Sequence, residues 1–373
     1  MRRIALLGST GSIGESTLAV LRRHPDRFRL VAITAHSNVE LLRRQRAEWR
    51  VEYAGLSGPL VDGWELPVGP DVLVHAATHP DVDIVVNAVV GAAGLEATLA
   101  ALRAGKRVAL ANKESLVTGG PLVAAAAAAG GGEIVPVDSE HSAVLQCIAG
   151  RESALTKLTL TASGGPFRCW DAGDVARATV AQALRHPTWS MGSKITVDSA
   201  TLANKALELI EAHFLFGLPY DALEAVVHPQ SIVHAFAEFS DGSVLAQLGF
   251  PSMELPILYA LTHPDRVADA GVRRFDAVAI GQLTFEPVRA DVFRAFALGV
   301  ASGRAGGTAP ATFNAANEEA VAGFLAGRIA FGRIAETIDA VLQDHEVRPI
   351  ADVATVRDAD ATARAAARAA MES

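Results

Sequence analysis

Short apolar segments alternate with amphipathic helical patterns over the first third of the chain. Five of these segments are rich in Val, Ile, Leu and Ala and have the length of buried strands: Arg3–Leu7, Leu30–Thr34, Asp83–Ala88, Arg107–Leu110 and Glu133–Val137. Helical stretches such as Leu95–Ala104 lie between them. Because strands that alternate with helices form βαβ units, the pattern predicts a Rossmann-like parallel-sheet domain over residues 1–138.

The pattern changes after residue 138. A β segment at Lys157–Ala162 is followed by a long loop with Gly, Pro and Trp, and then by a helical stretch, Ser199–Phe216. Three further β segments follow at Ala225–His228, Ile232–Phe239 and Ser243–Leu248. We therefore expect an α+β catalytic domain over 139–262. Since so long a loop is typical of a lid, we expect a flexible flap at 163–193.

The last part of the chain carries helical patterns only. They are separated by Gly-rich or Pro-containing breaks and cover Asp291–Val300, Ala311–Ala326, Ile334–Leu342 and Asp352–Met371. These patterns predict a C-terminal helical bundle over 291–373, connected by a linker at 263–290. The expected fold class is thus α/β, with three consecutive parts.

Composition narrows the classes of partner. The 373 residues are 50% hydrophobic, which suits large cores, and 33 Lys and Arg against 41 Asp and Glu give a net charge of −8. This balance argues against a nucleic-acid surface or a broad anionic-membrane surface. The longest uncharged stretch, Ser115–Gly132, is interrupted by Gly and Pro, so no membrane span is predicted. Two cysteines are too few for a disulfide scaffold and fit a reducing cytoplasm.

A glycine-rich loop follows the first strand. Gly8-Ser-Thr-Gly11-Ser-Ile-Gly14 leads directly into a helical stretch. Glycines in this place allow a tight turn and a close approach of the backbone, and the helix N-terminus offers N–H groups to a pyrophosphate. The position of the loop at the head of repeated βαβ units favours dinucleotide binding, with Gly8 among the contacts.

The end of the second strand indicates which dinucleotide is bound. An acidic residue there would bind the ribose of NAD, but Ala35 is followed by His36, Ser37 and Asn38, with Arg43 close by. These donors favour a 2′-phosphate, and hence NADPH, as the cofactor. Capping of the second helix by Ser37 or Asn38 is an alternative role, and one residue can serve both.

Carboxylates follow the last strand of the first domain. In an extended segment, Asp138 and Glu140 point the same way and can converge on one cation. On the helix beginning near Ser199, the spacing puts Asn204, Lys205 and Glu208 on one face. Oxygen ligands of this kind select Mg²⁺ or Mn²⁺ over zinc. For the helix alone, a solvated charged face is the simpler interpretation.

Taken together, these motifs resemble those of the 1-deoxy-D-xylulose 5-phosphate reductoisomerase family. The matching segments are GSTGSIG at 8–14, ANKES at 111–115, VDSEHSA at 137–143, ASGGPF at 162–167, HPTWSMG at 186–192, KITVDSAT at 194–201 with NK at 204–205, and HPQSIVH at 228–234. The resemblance implies NADPH-dependent and metal-dependent rearrangement and reduction of a sugar phosphate to 2-C-methyl-D-erythritol 4-phosphate, with Mg²⁺ or Mn²⁺ and with Co²⁺ as a further candidate ion. It also implies a homodimer.

The resemblance assigns roles to individual residues. The implied metal ligands are Asp138, Glu140 and Glu208, and the two glutamates also contact substrate. The implied pocket for the substrate phosphate consists of Ser163, Ser199, Asn204 and Lys205. Other implied substrate contacts are Lys113, Ser139 and His186, covered by Trp189 and Met191 of the flap. The implied cofactor contacts are Thr10, Gly11, Ser12, Ile13, Asn112, Glu114 and Gly192. Lys113, Glu140, His186 and Glu208 are the expected catalytic residues.

Two other classes of protein remain open at this point. A semialdehyde dehydrogenase opens with a similar glycine loop but needs a nucleophilic thiolate. Cys147 lies in a predicted amphipathic helix, Ser142–Ala149, without a basic motif beside it. A non-enzymatic NADPH sensor would keep the first domain but would have no use for the converging carboxylates.

Overall fold

The computed structural model describes residues 1–60 and 63–372. Its strands in chain order are β1 (Arg2–Leu7), β2 (Phe28–Ala35), β3 (Tyr53–Leu56), β4 (Ile84–Asn87), β5 (Arg107–Leu110), β6 (Glu133–Pro136), β7 (Leu155–Ala162), β8 (Leu223–Val227), β9 (Val233–Phe239), β10 (Val244–Leu248) and β11 (Glu286–Pro287).

The α-helices in chain order are α1 (Ser12–Arg23), α2 (Val39–Trp49), α3 (Asp71–Thr78), α4 (Leu95–Arg103), α5 (Lys113–Gly130), α6 (Ser139–Ile148), α7 (Ala172–Ala176), α8 (Val180–Ala183), α9 (Ser193–Thr201), α10 (Ala203–Phe216), α11 (Glu254–Thr262), α12 (Ala277–Ile280), α13 (Arg294–Ala305), α14 (Ala309–Leu325), α15 (Gly332–Gln343) and α16 (Val353–Glu372). None of the helices in the described ranges has the length and apolar character needed to cross a bilayer.

The chain forms two compact units with discontinuous boundaries. The first unit comprises residues 1–116, 121–142 and 252–273, and the second comprises 117–120, 143–251 and 274–373. The predicted boundaries divide the chain differently, because α11 belongs to the first unit and the C-terminal helices share a unit with the second sheet. A separate function for each predicted domain stays a prediction.

The first unit is built on a parallel sheet with strand order β3-β2-β1-β4-β5-β6. All five predicted strands are present, and β3 is an additional edge strand beside β2. The side chains of Ile4–Leu7 are fully buried, as expected for a central strand covered on both faces. The strand order places the reversal of winding between β1 and β4, and in such sheets ligands bind at the carboxyl ends of the strands at that point.

The second unit contains a mixed sheet with strand order β10-β9-β7-β8-β11. β7 is parallel to β8 and antiparallel to β9. A large apolar cluster joins α9, α10 and the C-terminal helices, and Phe313 and Phe324 of α14 are among its buried members. The predicted helical C-terminus is therefore confirmed, as α13 to α16.

The predicted helix over Ser199–Phe216 is interrupted in the structure. Leu202 adopts a left-handed backbone conformation, with φ of 58°, between α9 and α10. A non-glycine residue rarely adopts this conformation, which costs about 1–3 kcal/mol. Burial of the Leu202 side chain in the apolar cluster offsets that cost.

Part of the predicted flap at 163–193 packs into the apolar core of its unit, and the flexibility of the segment stays a prediction. Phe167 is fully buried, and Val175 and Ala183 on α7 and α8 belong to the same apolar cluster. Residues 184–192 have neither helix nor strand structure, and their side chains are partly buried or exposed, as are those of residues 168–171. Trp189 and Met191, the implied covering residues, are half-buried.

Candidate active site

The predicted site residues of the first unit lie at the carboxyl edge of its parallel sheet. The loop Gly8–Gly11 follows β1, His36–Asn38 follow β2, and Asn112 and Asp138 follow β5 and β6. Since all six strands run in the same direction, these segments emerge from one edge of the sheet.

The glycine-rich loop depends on glycine at two positions. Gly8 has φ of 80°, and a Cβ atom there would lie 2.5 Å from the carbonyl oxygen of Ala88. A Cβ atom on Gly14 would lie 2.4 Å from the carbonyl oxygen of Ser9. At Gly11, by contrast, the nearest atom to a Cβ would be 3.5 Å away. Gly11 is also exposed, so the backbone where α1 begins is uncrowded, which suits the approach of a pyrophosphate.

A glutamine that the sequence analysis missed holds this loop in place. Gln45 is 2% exposed, and its amide donates to the carbonyl oxygen of Ser9 (3.0 Å) and to Glu15. The Ser9 hydroxyl in turn donates to the side-chain oxygen of Gln45 (2.7 Å). Polarity at a core-facing position of α2 is the signal that could have revealed this role.

The residues after β2 are open to solvent. His36 and Ser37 are exposed, and no acidic side chain occurs among residues 36–38. The Asn38 side chain accepts a hydrogen bond from the backbone N–H of Leu41 (3.2 Å), so it caps α2. The capping role is therefore confirmed for Asn38, and its exposure leaves room for a second role.

The side chain of Asn112 is occupied by the protein itself. Its amide donates to the carbonyl oxygens of Val89 and Gly91, each at 2.8 Å, and also to Glu114 at 3.0 Å. Its oxygen accepts from the backbone N–H of Ser115 (3.1 Å), capping α5. Asn112 thus fixes the loop after β4, and a contact with a cofactor would have to use its backbone.

Asp138 and Glu140 occupy a helix start rather than an extended segment. Asp138 caps α6, with its carboxylate accepting from the backbone N–H of Ser139 (2.9 Å) and its carbonyl from that of Ser142 (2.8 Å). Glu140 lies in the first turn, where the Ser139 hydroxyl donates to it (2.5 Å). The expected extended geometry was wrong: β6 ends at Pro136 and α6 begins at Ser139, because Asp is a preferred N-cap residue.

Asp138 also pairs with Lys113. The Lys113 Nζ lies 2.6 Å from Oδ2 of Asp138, and the side chain of Lys113 is 8% exposed. Lys113 is the first residue of α5, so the two elements that follow β5 and β6 are joined by this ion pair. It brings an ammonium and two carboxylates together at the sheet edge.

In the second unit, His186 joins two of the predicted phosphate-binding serines. Its Nε2 atom lies 2.9 Å from the Ser163 hydroxyl and 3.1 Å from that of Ser199. Ser163 directly follows β7, and Ser199 lies in the last turn of α9. The three side chains, far apart in sequence, form one polar cluster.

The protonation state of His186 follows from its surroundings. The Nδ1 atom accepts backbone N–H groups of Thr188 (3.1 Å) and Trp189 (2.8 Å). Burial lowers the pKa of His186 to about 4. At neutral pH, therefore, the ring is uncharged and carries its proton on Nε2, from which it donates toward Ser163 or Ser199.

The first turn of α10 carries the remaining polar residues. Asn204 and Lys205 both donate to the carboxylate of Glu208, and Lys205 and Glu208 are only 3% and 1% exposed. The expected common face is confirmed, whereas the solvated alternative is wrong because these charges are buried. The interruption at Leu202 adds the N-terminus of α10, whose partial positive charge favours an anion near Asn204 and Lys205.

Gly192 and the two covering residues lie next to this cluster in the chain. Gly192 is exposed and precedes α9, while Trp189 and Met191 are half-buried on the segment that bonds to His186. Asp138 and Glu140 belong to the first unit and Glu208 to the second.

Neither cysteine has the surroundings of a catalytic nucleophile. Cys147 is buried among apolar residues including Leu158 and Leu160. Cys169 is exposed in a turn beyond Phe167. A buried thiol in an apolar cluster is unreactive, which argues against the semialdehyde dehydrogenase alternative.

Comparison with known proteins gives one consistent result. A family model for 1-deoxy-D-xylulose 5-phosphate reductoisomerase matches residues 4–120, and models of its C-terminal domains match 134–216 and 248–366. Curated reductoisomerases from Gloeobacter violaceus and Geobacillus kaustophilus are each 48% identical to this chain. The alignments cover 98% of this chain and 96% of the first relative, and 99% of both chains for the second.

Solved structures give the same result. A DOX-P reductoisomerase crystallised with NADPH, fosmidomycin and magnesium superposes with a TM-score of 0.95, at 39% identity, and 100% of this chain and 98% of that one are covered. The reductoisomerase from Zymomonas mobilis in complex with NADPH gives 0.91 at 40% identity, covering 100% and 99%. The chain therefore belongs to the 1-deoxy-D-xylulose 5-phosphate reductoisomerase family.

Proposed function

We propose that this protein catalyses the NADPH-dependent and divalent-metal-dependent rearrangement and reduction of 1-deoxy-D-xylulose 5-phosphate to 2-C-methyl-D-erythritol 4-phosphate, a step of the non-mevalonate route to isoprenoid precursors. One observation carries the proposal: two carboxylates, Asp138 and Glu140, emerge from the same sheet edge as the glycine-rich loop. Carboxylate oxygens are the ligands that magnesium prefers, so this edge of the sheet suits a divalent ion beside the dinucleotide.

The first unit suits NADPH. The exposed backbone at Gly11 and the start of α1 at Ser12 suit the pyrophosphate, and Gly8, Thr10 and Ile13 complete the turn. The exposed donors of His36, Ser37 and Asn38 suit the 2′-phosphate. NADPH would supply the hydride for the reduction. Glu114 and Gly192 are further contacts that we propose on the family resemblance.

Asp138, Glu140 and Glu208 are the proposed ligands of a magnesium ion. All three offer carboxylate oxygens, the ligands that this ion prefers. Magnesium held by them would supply Lewis-acid charge to the substrate oxygens. Lys113 pairs with Asp138 in the first unit, and Lys205 pairs with Glu208 in the second.

Ser163, Ser199, Asn204 and Lys205 form the proposed pocket for the substrate phosphate. The two hydroxyls, the amide and the ammonium supply donors and a positive charge to a dianion. His186, uncharged, donates from Nε2 toward the serines and keeps their hydroxyls oriented.

Lys113 and Ser139 are proposed to contact the substrate backbone. Lys113 is fixed by its bond to Asp138, and Ser139 by its bond to Glu140. Trp189 and Met191 are proposed to cover the bound substrate and exclude water from it. Their attachment to His186, through the backbone N–H of Trp189, couples this cover to the phosphate pocket.

We also propose a cytoplasmic homodimer that accepts Mn²⁺ in place of Mg²⁺, with Co²⁺ as a further candidate. β10 is an outer strand of the mixed sheet, and its Val244 and Leu245 are 52% and 39% exposed. An exposed apolar sheet edge is a template for pairing with a second copy.

The test is a spectrophotometric assay of NADPH oxidation by the purified protein with the sugar phosphate and Mg²⁺. We expect turnover that requires the metal and is much slower with NADH. Absence of turnover with Mg²⁺, Mn²⁺ and Co²⁺ alike would overturn the proposal. A Cys147→Ala/Cys169→Ala double variant should keep its activity, which a thiolate mechanism would lose.

A further inference from the structure

A buried hydrogen bond joins α9 to α14, one of the four helices of the C-terminal part. The Nδ2 atom of Asn317 donates to Oδ1 of Asp198 over 2.8 Å, and the two residues are 0% and 1% exposed. The other carboxylate oxygen of Asp198 lies 2.8 Å from Nζ of Lys194, one turn earlier on α9. Asp198 therefore has a fixed partner on each oxygen.

This contact is adjacent to the proposed phosphate pocket. Asp198 immediately precedes Ser199, and consecutive residues on a helix point about 100° apart. While Asp198 is held against α14, Ser199 is directed to another side of α9, where its hydroxyl lies 3.1 Å from His186. A rotation of α9 about its axis would break both contacts together.

We propose that Asn317 and Asp198 are positioning residues for the substrate phosphate: they fix the rotation of α9 and thereby the direction of the Ser199 hydroxyl. The inference rests on the proposed function, because it needs Ser199 to bind that phosphate. An amide is well suited to this task, since it donates to a buried carboxylate without adding a charge. A carboxylate at 317 would instead place a like charge beside Asp198.

The test compares Asn317→Ala with Asn314→Ala in the full-length protein. Asn314 is a matched control because it is equally buried on α14 but donates to Glu318 (3.0 Å) on its own helix. We expect Asn317→Ala to raise two constants by about tenfold: the KM for the sugar phosphate and the competitive inhibition constant of inorganic phosphate. Without the contact to α14, the Ser199 hydroxyl would no longer be directed at the phosphate, and the bound anion would lose one charge-assisted hydrogen bond. The KM for NADPH should change less than twofold.

Rescue provides the second measurement. The single variants Asp198→Asn and Asn317→Asp should each weaken inhibition by inorganic phosphate. The double variant Asp198→Asn/Asn317→Asp keeps one amide and one carboxylate in the pair, so its inhibition constant should return most of the way to that of the unaltered protein. If Asn317→Ala does not fold, Asn317→Ser, a smaller donor, replaces it, with folding checked by circular dichroism. Equal effects of the 314 and 317 variants, or unchanged constants for both, would overturn the positioning role. If inorganic phosphate does not compete with substrate in the unaltered protein, the phosphate pocket itself is wrong.

Discussion

The hydroxyl of Ser163 lies 2.9 Å from Nε2 of His186, and the acceptor role of Nδ1 leaves the ring proton on this Nε2 atom. The reason is on the other side of the ring, where Nδ1 is occupied as an acceptor by the backbone N–H of Trp189. An imidazole held in this tautomer orients hydroxyls by donating to them. It cannot accept a proton at Nε2 while it stays uncharged.

Replacing His186 should weaken phosphate binding. His186→Ala removes the donor to Ser163 and Ser199, and we expect kcat/KM for the sugar phosphate to fall about 10- to 100-fold, as for a hydrogen bond worth about 1.5–3 kcal/mol. His186→Gln, whose amide can donate, should recover part of the loss. Steady-state kinetics of the two variants measure this, and equal losses in both would contradict a donor role.

The pH dependence of stability should also change at His186. In the unfolded chain its pKa is near 6.5, while burial lowers the folded pKa to about 4. Between these values the unfolded state binds a proton that the folded state does not, so stability falls as the pH drops from about 6.5 to about 4. His186→Gln should lose less stability than the unaltered protein over that range, as measured by thermal midpoints. Parallel curves would show that His186 titrates normally.

Removing the carboxylate of Glu208 should abolish metal-dependent turnover. We expect Glu208→Gln to lose more than about 100-fold in kcat and to weaken Mn²⁺ binding measured by titration calorimetry, because one of three charged ligands is neutralised. Glu224→Gln is the control, since Glu224 is an exposed carboxylate of the same unit paired with Lys157 (2.8 Å). Unchanged Mn²⁺ affinity in the Glu208 variant would remove it from the ligand set.

Cofactor preference should respond to charge after β2. An Asp in place of His36 would repel a 2′-phosphate and could bond a ribose hydroxyl, so we expect the KM for NADPH to rise about tenfold while that for NADH stays level or falls. His75→Asp, the same change at an exposed position of α3, serves as the control. If the KM for NADPH and the KM for NADH rise by the same factor, the 2′-phosphate does not bind beside His36.

Much of the fold could be predicted from hydrophobic periodicity. The bounds of the strand Arg107–Leu110 were predicted to the residue, because a short apolar segment between two helical patterns has clear ends in the sequence. Tyr53–Leu56 was missed as a strand, since its Ala and Gly give no β signal and pairing with β2 supplies the stabilisation. The interruption at Leu202 is also invisible in the sequence, where a buried leucine fits a continuous helix as well as a break.

The sequence was sufficient to predict which residue types form the candidate site, but less so how these residues are arranged. The pairing of Lys205 with Glu208 could be predicted from their spacing, because residues three apart on a helix share a face. Gln45 and Asn317 were not found, because their partners lie far away in the chain and only the tertiary structure brings them together.

The discontinuity of the first unit has a consequence for biosynthesis. α11 packs against α1, β5 and β6, and Arg23 of α1 bonds Glu254 and Asp269, each at 2.7 Å. A nascent chain that ends near residue 142 has all six strands but leaves the surface that α11 covers open to water. The first unit thus completes its core only after the ribosome has translated more than a hundred intervening residues of the second, and until then a chaperone would find an apolar surface to bind.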